Sequence, residues 1–528
     1  MIKKIINFPW HPFSFGIFPI LFLLNTNALD LDPLWIVRPF ISSLLISGLL
    51  LIILKFLAKE WPKAAILASL LILLFFTYGH IYKLIKGLTF FGMTVEWHRI
   101  LLVLWLVILI VLFGLLLWKI RVSNLITKTL NYISLVLVLI NGVPLLTTYI
   151  QTLYNKAIST GIESQIKTNS VLSISEKLSP PDQSALPDIY YIILDDYPRA
   201  DILKDQNGFD NSSFLAQLKN MGFYIVPCAQ SNYGITVLSI GTSLNMDYID
   251  NIARNEISQN ARWKDLGVYL RYSVVRQTLK SLGYMLIAFD TGQGWANITD
   301  ADIYYQSPKN QSSIGLLFGA INPFERLLVD TTALLPVIES TNLLPADIFA
   351  TGGEDAVSME HTAYLRNIYN LQKLDETLFV QGPKFVYAHL MTTHTPFVFN
   401  TDGSYRQKDY YFPSKQGFLD SITYTNIRVL NLVQEIQKKS KIPPIIIIQA
   451  DHGLRVNGLR VFIFNAIYFP GNGKNDLYPT ITPVNTFRVL FNKYFQANLD
   501  LLEDHSYESG IDDPYNYTTI PVPQVCNQ

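Results

Sequence analysis

Long apolar stretches dominate the N-terminal part of the chain. Five of them are long enough to cross a bilayer as a helix, which needs roughly 20 mostly apolar residues, and they cover about residues 12–28, 36–57, 64–82, 99–118 and 130–149. Pro9, Pro12 and Pro19 interrupt the first stretch, and further apolar stretches follow it, so a secretory signal peptide is disfavoured there. The pattern predicts an α-helical transmembrane bundle of about five helices.

Basic residues between these stretches indicate how the bundle is oriented, because cytoplasmic loops carry an excess of Lys and Arg. Such residues precede the first stretch and follow the second and fourth: Lys3, Lys4, Lys55, Lys59, Lys63, Lys119, Arg121 and Lys128. The loop of residues 81–99, on the opposite side, also carries three basic residues, which weakens the charge difference between the two sides. With the N-terminus in the cytoplasm, five spans place the rest of the chain outside. We therefore expect a multi-pass protein of a bacterial-type plasma (inner) membrane with a periplasmic or extracellular C-terminal domain.

Composition changes sharply near residue 150. We predict a transmembrane domain over residues 1–150, a linker rich in Ser, Lys, Gln and Pro over 151–187, and a second domain over 188–528. Across 528 residues, Lys+Arg and Asp+Glu number 41 each, so charge gives no reason to expect a nucleic-acid partner. The two cysteines, Cys228 and Cys526, do not make a disulfide framework, and whether they pair stays open.

The C-terminal domain has the alternation of a layered α/β fold. Predicted strands cover residues 188–194, 223–227, 284–289, 384–390, 445–449 and 461–468, and apolar residues recur at helical spacing between 365 and 378. The run of residues 445–448 is apolar on both faces, as expected of a central parallel strand. We expect a central, mostly parallel sheet between helix layers, with the ligand site at the carboxyl ends of its strands.

Acidic residues follow two of these strands. Asp195 and Asp196 come after the strand 188–194, where two buried carboxylates need a cation or hydrogen bonds, although a solvated turn is equally compatible. Asp451 and His452 come after residues 445–448 and offer an oxygen and an imidazole ligand in one tight turn.

Two further histidines and a threonine are candidates for chemistry. His394 lies in a Thr/Pro loop past the strand 384–390, where a proton donor would face a substrate, whereas His389 could be a core residue or a substrate contact. Thr236 follows a Gly-containing turn at the start of a predicted helix, where the helix dipole favours an anion, although Thr is also a common helix cap.

In this order and spacing, the four segments resemble the alkaline phosphatase superfamily, in its sulfatase-like branch. Lipoteichoic acid synthases and lipid A phosphoethanolamine transferases share the layout of five spans followed by an outward-facing catalytic domain. The most specific matches are the turn Asp-His-Gly at 451–453 and the loop His-x-x-x-x-His-x-Pro-Phe at 389–397. The resemblance implies an α/β alkaline-phosphatase-like domain.

Residue by residue, the resemblance implies a metal site and a nucleophile. Asp195, Asp451 and His452 match the metal ligands, and Asp196 is a second acidic candidate. Thr236 falls where the transferases have their threonine nucleophile and is also a candidate metal ligand. His394 matches a substrate-side histidine. One divalent ion is implied: zinc suits this ligand set, and manganese, magnesium or calcium also tolerate it. True sulfatases carry a Cys/Ser-x-Pro-x-Arg signature, which this sequence lacks, so sulfate-ester hydrolysis is disfavoured.

The phosphoethanolamine transferases also have a further histidine after the Asp-His pair. Here Arg455 and Arg460 follow instead, and we assign Arg455 to substrate binding, with Arg460 as an alternative phosphate clamp. We expect a membrane-bound transferase that moves a phosphoethanolamine- or phosphoglycerol-like headgroup from a membrane lipid onto an envelope glycan or lipid. The alternatives are an ester hydrolase of the phosphodiesterase or sulfatase type and a non-catalytic envelope protein on the same fold.

Overall fold

The computed structural model describes residues 8–27, 33–85, 89–90, 93–94, 97–118, 123–165, 178, 186–253, 263–307, 322–336, 359–406, 414–511, 513–523 and 526. The chain forms two compact units. The first comprises Met1–Thr152 together with Asn310–Ser358, and the second comprises Leu153–Lys309 together with Met359–Gln528.

Long apolar helices build the first unit: α1 (His11–Thr26), α2 (Val37–Ala58), α3 (Trp61–Ile85), α4 (Trp97–Trp118) and the part of α5 (Asn124–Gln165) up to Thr152. A two-stranded ribbon, β1 (Thr89–Phe90) with β2 (Met93–Thr94), lies between α3 and α4. By length and composition, four segments of the described chain are able to cross a membrane: Val37–Ala58, Trp61–Ile85, Trp97–Leu116 and Asn124–Thr147. The predicted transmembrane bundle is therefore confirmed.

The first predicted span differs from the other four. Helix α1 has 16 residues, which at 1.5 Å per residue is about 24 Å and shorter than the roughly 30 Å of a hydrocarbon core. It packs within the bundle nonetheless, since the Ser43 hydroxyl of α2 donates a hydrogen bond to the Gly16 carbonyl at 2.8 Å. The stretch predicted to be the first of five spans is thus a shorter bundle helix.

Helix α5 continues past residue 150, where the sequence predicts the start of a linker. It runs from Asn124 to Gln165 and contains Pro144. Its second half loses the apolar pattern without losing helical structure, so a change of composition does not mark its end. Residues 166–177 and 179–185 of the predicted linker lie outside the described residues.

The first unit also contains a segment from much later in the sequence, residues 322–336, which we call the inserted segment. It begins with the short helix Pro323–Val329. Phe324 is fully buried against apolar residues of α1, and Glu325 forms an ion pair with Arg38 of α2 at 2.5 Å. Sequence analysis assigned these residues to the C-terminal domain, because no long apolar run marks them.

Backbone hydrogen bonds join the inserted segment to α3. The Gly79 N–H donates to the Thr331 carbonyl at 3.0 Å, and the Ala333 N–H donates to the Phe75 carbonyl at 2.8 Å. A Cβ at Gly79 would lie 2.3 Å from the Asp330 carbonyl oxygen. Only glycine allows the two backbones to approach this closely.

A seven-stranded sheet forms the centre of the second unit, in the order β4-β9-β8-β3-β7-β5-β6. Its strands are β3 (Ile189–Leu194), β4 (Tyr224–Ile225), β5 (Met285–Phe289), β6 (Ile303–Tyr305), β7 (Lys384–Leu390), β8 (Ile445–Ala450) and β9 (Asn465–Tyr468). Neighbours from β8 to β6 are parallel, and β9 runs antiparallel to both β8 and β4. The predicted mostly parallel sheet is confirmed, although residues 461–464 of the last predicted strand lie outside β9.

Helices cover this sheet: α6 (Ala200–Asn207), α7 (Ser212–Asn220), α8 (Thr236–Asn245), α9 (Ile249–Ala253), α10 (Gly267–Arg271), α11 (Val274–Ser281), α12 (Met359–Glu376), α13 (Lys415–Lys439) and α14 (Pro483–Phe495). Every residue of β3, β7 and β8 is buried, as expected of strands covered on both faces.

A second antiparallel ribbon lies near the C-terminus, formed by β10 (Ser506–Ser509) and β11 (Tyr517–Ile520). Cys526, just beyond it, forms a disulfide with Cys228. The sequence left this pairing open, and its partners are 298 residues apart.

Candidate active site

Parallel register brings three polar residues to one edge of the sheet. Leu194, the last residue of β3, lies opposite Leu390 of β7 and Ala450 of β8. Asp195 and Asp451 are the next residues along their strands, and His389 lies one residue before the end of β7. All three side chains are at most 2% exposed. Because parallel strands end at the same edge, residues from distant parts of the sequence meet there.

These three side chains form a compact group that is able to hold a metal ion. One ligand atom from each of Asp195, His389 and Asp451 lies within 4.8 Å of the others. His389 Nε2 is 2.8 Å from Asp195 Oδ2. Among the described residues, Asp195 Oδ1 and Asp451 Oδ2 are buried without a hydrogen-bond partner. Because an unpaired buried carboxylate oxygen is costly, the two oxygens fit a bound cation.

His452 lies in a tight turn directly after β8. A Cβ at Gly453 would lie 2.2 Å from the Phe462 carbonyl oxygen, so this turn requires glycine after the histidine. The imidazole is 2% exposed. Its Nε2 lies 3.3 Å from Asp451 Oδ2, and its Nδ1 lies 3.4 Å from Asp196 Oδ1. The two carboxylates therefore approach opposite nitrogens of one ring.

Asp196 differs from Asp195 in its surroundings. Its backbone has φ 61°, in the left-handed region that Asp tolerates better than most residues. Its N–H donates to Asp451 Oδ1 at 3.2 Å. Asp196 thus orients Asp451 through its backbone and faces His452 through its carboxylate, the position of a residue that supports a metal ligand.

Thr236 is the first residue of α8, and Ile235 before it has an extended backbone. The Thr236 hydroxyl oxygen lies 3.2 Å from His452 Nε2. One turn further along, the Ser239 hydroxyl donates to the Asp451 carbonyl at 2.6 Å. The helix N-terminus holds the hydroxyl against His452, and its free N–H groups favour a negative charge there.

The loop after β7 carries His394, which is half-buried. Thr393, its neighbour, donates a side-chain hydrogen bond to the Asp195 carbonyl. This bond fixes the loop at the same edge of the sheet, with His394 close enough for its charge to act on Asp195.

Electrostatics at the site favour a charged acid and a charged base. Burial raises the pKa of the Asp195 carboxyl, but His394, His389 and His452 outweigh it and hold that pKa well below its usual range. Burial lowers the pKa of the His452 imidazole. Asp451 and Asp196 outweigh burial and the opposing charge of Arg460, and they raise this pKa to about 9. The site therefore already attracts positive charge.

The structure brings together most of the residues predicted from sequence: Asp195, Asp196, Thr236, His389, His394, Asp451 and His452. Arg455 is the exception. It is exposed, and its guanidinium donates to the Gly458 carbonyl of its own turn; within the described part of the chain it makes no hydrogen bond to the site. Arg460, the alternative, contacts His452 instead.

Sequence reasoning gave His389 no metal-binding role and did not identify Glu508. The register of the parallel strands was the signal for His389, since it predicts which residues share the sheet edge. Glu508 lies on β10, and its carboxylate accepts a hydrogen bond from the Arg460 backbone N–H at 2.7 Å. No pattern in the sequence connects this ribbon with the site.

Comparison with known proteins gives structural matches only. No protein-family model and no curated protein matches this chain. It is similar to the C-terminal periplasmic domain of EcEptC from Escherichia coli, with 10% identity and a TM-score of 0.41 over 66% of this chain and 96% of that one. The corresponding domain of phosphoethanolamine transferase EptC from Campylobacter jejuni matches with 12% identity and a TM-score of 0.33, covering 58% of this chain and 89% of that one.

A full-length membrane protein also matches. This is lipooligosaccharide phosphoethanolamine transferase A (EptA) from Neisseria meningitidis, with 11% identity and a TM-score of 0.35, covering 94% of this chain and 96% of that one.

Proposed function

We propose that this protein is a membrane-bound, metal-dependent transferase that moves a phospho-headgroup from a lipid to an envelope acceptor through Thr236. One observation carries this proposal: the Thr236 hydroxyl lies at a helix N-terminus, 3.2 Å from Nε2 of His452, an imidazole that in turn lies 3.3 Å from the buried Asp451 carboxylate. A hydroxyl in such surroundings is suited to nucleophilic catalysis.

The donor set fits one divalent cation. Asp195, His389 and Asp451 form the compact group, His452 lies beside Asp451, and the Thr236 hydroxyl contacts His452. Asp196 then orients His452 through Nδ1. When bound, the cation lowers the pKa of the threonine hydroxyl and screens the anionic substrate. Zinc suits this mixture of nitrogen and oxygen donors, and manganese, magnesium or calcium are alternatives.

The residues of the chain then carry two displacement steps. The Thr236 hydroxyl loses its proton to solvent and its oxygen bonds to phosphorus, while the bond from phosphorus to the oxygen of the lipid alcohol breaks. His394 gives that oxygen a proton. In the second step an acceptor hydroxyl passes its proton to His394 and its oxygen bonds to phosphorus, while the bond from phosphorus to the Thr236 oxygen breaks and that oxygen takes a proton from solvent. Histidine and threonine return to their starting states.

We infer that the catalytic unit works on the outer face of a bacterial-type plasma membrane. The pairing of Cys228 with Cys526 supports this location, because structural disulfides persist in oxidising compartments. The spans hold the enzyme at the bilayer, where a lipid donor is met, and the acceptor is an envelope lipid or glycan.

Trapping the covalent intermediate tests this function. Purified full-length protein, loaded with zinc, is incubated with phosphatidylethanolamine or phosphatidylglycerol and digested, and the peptide containing Thr236 is analysed by mass spectrometry. We expect a headgroup phosphoester on Thr236 in the wild type and its absence in Thr236→Ala, with turnover lower by about a thousandfold or more. Thr236→Ser keeps a hydroxyl and should keep the adduct.

Thr401→Ala is the matched control, because Thr401 is exposed and its substitution should leave the Thr236 adduct unchanged. An adduct that persists in Thr236→Ala, or a metal-loaded wild type that never forms one, would contradict the proposal. A labelled headgroup that appears as free phosphoester rather than on an acceptor would instead favour the hydrolase.

A further inference from the structure

The turn that follows His452 is a short hairpin ending at Arg460. The Gly453 N–H donates to the Arg460 carbonyl at 2.6 Å, and Val456 and Leu459 exchange backbone hydrogen bonds of 2.8 and 2.9 Å. The hairpin leaves the sheet edge and returns to it. Its two arginines therefore end in different places, with Arg455 exposed near the tip and Arg460 at the site.

The Arg460 guanidinium lies against the imidazole that Thr236 also contacts. Arg460 Nη2 is 3.0 Å from His452 Nδ1 and 2.9 Å from His452 Nε2, and it is 3.7 Å from Asp196 Oδ1. The arginine side chain is only 22% exposed. The fixed positive charge of Arg460 and the Thr236 hydroxyl thus contact the same nitrogen, His452 Nε2.

The backbone of Arg460 is held from the other side by the C-terminal ribbon. Its N–H donates to Glu508 Oε2 at 2.7 Å. The ribbon is joined to the nucleophile turn, since the Gly234 N–H donates to the Tyr507 carbonyl at 3.1 Å and the Tyr507 N–H donates to the Asn232 carbonyl at 2.9 Å. One structural unit therefore positions both Arg460 and Thr236, which is what preorganised binding of a transition state requires.

We propose that Arg460 is a phosphate-binding residue whose guanidinium contacts the non-bridging oxygens of the phosphoryl group that Thr236 attacks. This inference rests on the proposed function. A guanidinium is always charged and offers planar, paired donors that match phosphate oxygens. With a cation at Nε2 and Asp196 at Nδ1, His452 would offer Arg460 no acceptor nitrogen. Its donors are then available to the substrate, and the site combines one metal ion with one arginine.

Phosphate affinity, measured apart from turnover, tests the role of Arg460. Full-length wild type, Arg460→Gln and Arg460→Lys are loaded with zinc and titrated with inorganic phosphate by calorimetry. We expect Arg460→Gln to weaken phosphate binding about 10- to 100-fold, the range for loss of a hydrogen bond to a charged group, with Arg460→Lys in between. Zinc content should stay at the wild-type level in both variants.

Two further variants sharpen the test. Lys441→Gln removes an exposed cation before β8, at the opposite end of the strand from the site, and should bind phosphate as the wild type does. Arg455→Gln distinguishes the two arginines of the hairpin. If Arg455→Gln weakens phosphate binding and Arg460→Gln does not, or if Arg460→Gln loses zinc as His452→Asn does, the proposal is overturned.

Failure of the Arg460 role and failure of the proposed function have different signatures. If the wild type binds phosphate through Arg460 but never modifies Thr236, the phosphate site stands and the transferase function is contradicted. If the wild type modifies Thr236 while Arg460→Gln binds phosphate normally, the transferase function stands and the role of Arg460 is excluded.

Discussion

Among the site residues, His452 is the one whose proton competes directly with a metal ion. Its pKa is raised to about 9 by the neighbouring carboxylates, so in the metal-free protein it is protonated at neutral pH. A histidine must lose its proton to bind a metal. We therefore expect zinc affinity to fall about tenfold for each pH unit below 9, as measured by competition titration of the full-length protein.

The same proton affects the stability of the metal-free fold with the opposite sign. Because the folded pKa lies above the ordinary value of 6.5, this stabilisation is complete below about pH 6.5 and is lost as the pH rises through about 9. His452→Asn should remove both trends, whereas His505→Asn, a half-buried histidine of the C-terminal segment, should keep them. A wild-type zinc affinity that does not vary with pH would contradict this assignment.

Single residues were predictable from sequence wherever they follow an apolar strand. Asp195, Asp451 and His452 each follow a run that is too apolar to be anything but buried, so their polar side chains were conspicuous. His389 was harder to interpret because it lies inside its strand, and only the parallel register with β3 shows that it meets Asp195. Arg455 and Arg460 were both candidates from sequence, and the hairpin geometry shows that Arg460 is the one that contacts His452.

At the scale of elements, the turn after β8 holds the Asp-His pair in place. Alanine at Gly453 would bring its Cβ to 2.2 Å from a backbone oxygen. Since backbone cannot yield as a flexible side chain does, we expect Gly453→Ala to cost about 1–3 kcal/mol of stability and to reduce zinc content. Thermal unfolding and metal analysis of the full-length protein measure both effects.

Gly510→Ala is the matched control for this substitution. A Cβ at Gly510 meets nothing within 4 Å, so stability should change by no more than about 0.5 kcal/mol and zinc content should not change. Equal effects of the two substitutions would show that the turn is not tightly constrained.

Elements were predicted well where burial dictates the pattern. Strand β7 has the predicted bounds, and β3, β5 and β8 differ from prediction by one residue at an end. The short strand β6 and the ribbon of β10 and β11 were missed, because β6 has only three residues and the ribbon strands are four residues long, partly exposed and mostly polar. Strands this short leave too little alternation to be recognised from sequence.

At the scale of the whole molecule, each of the two units is built from two separate stretches of the chain. The two units divide after Thr152, within α5 and close to the change of composition near residue 150, but the inserted segment returns to the first unit. The inserted segment has no compositional marker. The segment is too short to read as a span, and its place is decided by one glycine, one buried phenylalanine and one ion pair rather than by length of apolar sequence.

The inserted segment should keep the two parts of the chain together when the connection between them is cut. A protease site introduced between residues 166 and 177 yields a C-terminal fragment that still contains residues 322–336. These pack against α1, α2 and α3 through Phe324, Glu325 and two backbone hydrogen bonds. We expect the cleaved fragments to co-purify in mild detergent.

Gly79→Leu should separate those fragments, because any side chain there collides with the backbone of the inserted segment. Gly114→Leu is the matched control: Gly114 also lies in a spanning helix, but a Cβ there meets nothing within 4 Å. Fragments that separate in the parent protein, or that remain together in Gly79→Leu, would show that this segment is not what joins them. If they behave as expected, the catalytic unit is fastened to the membrane helices by two routes, the chain after α5 and the segment that returns to α3.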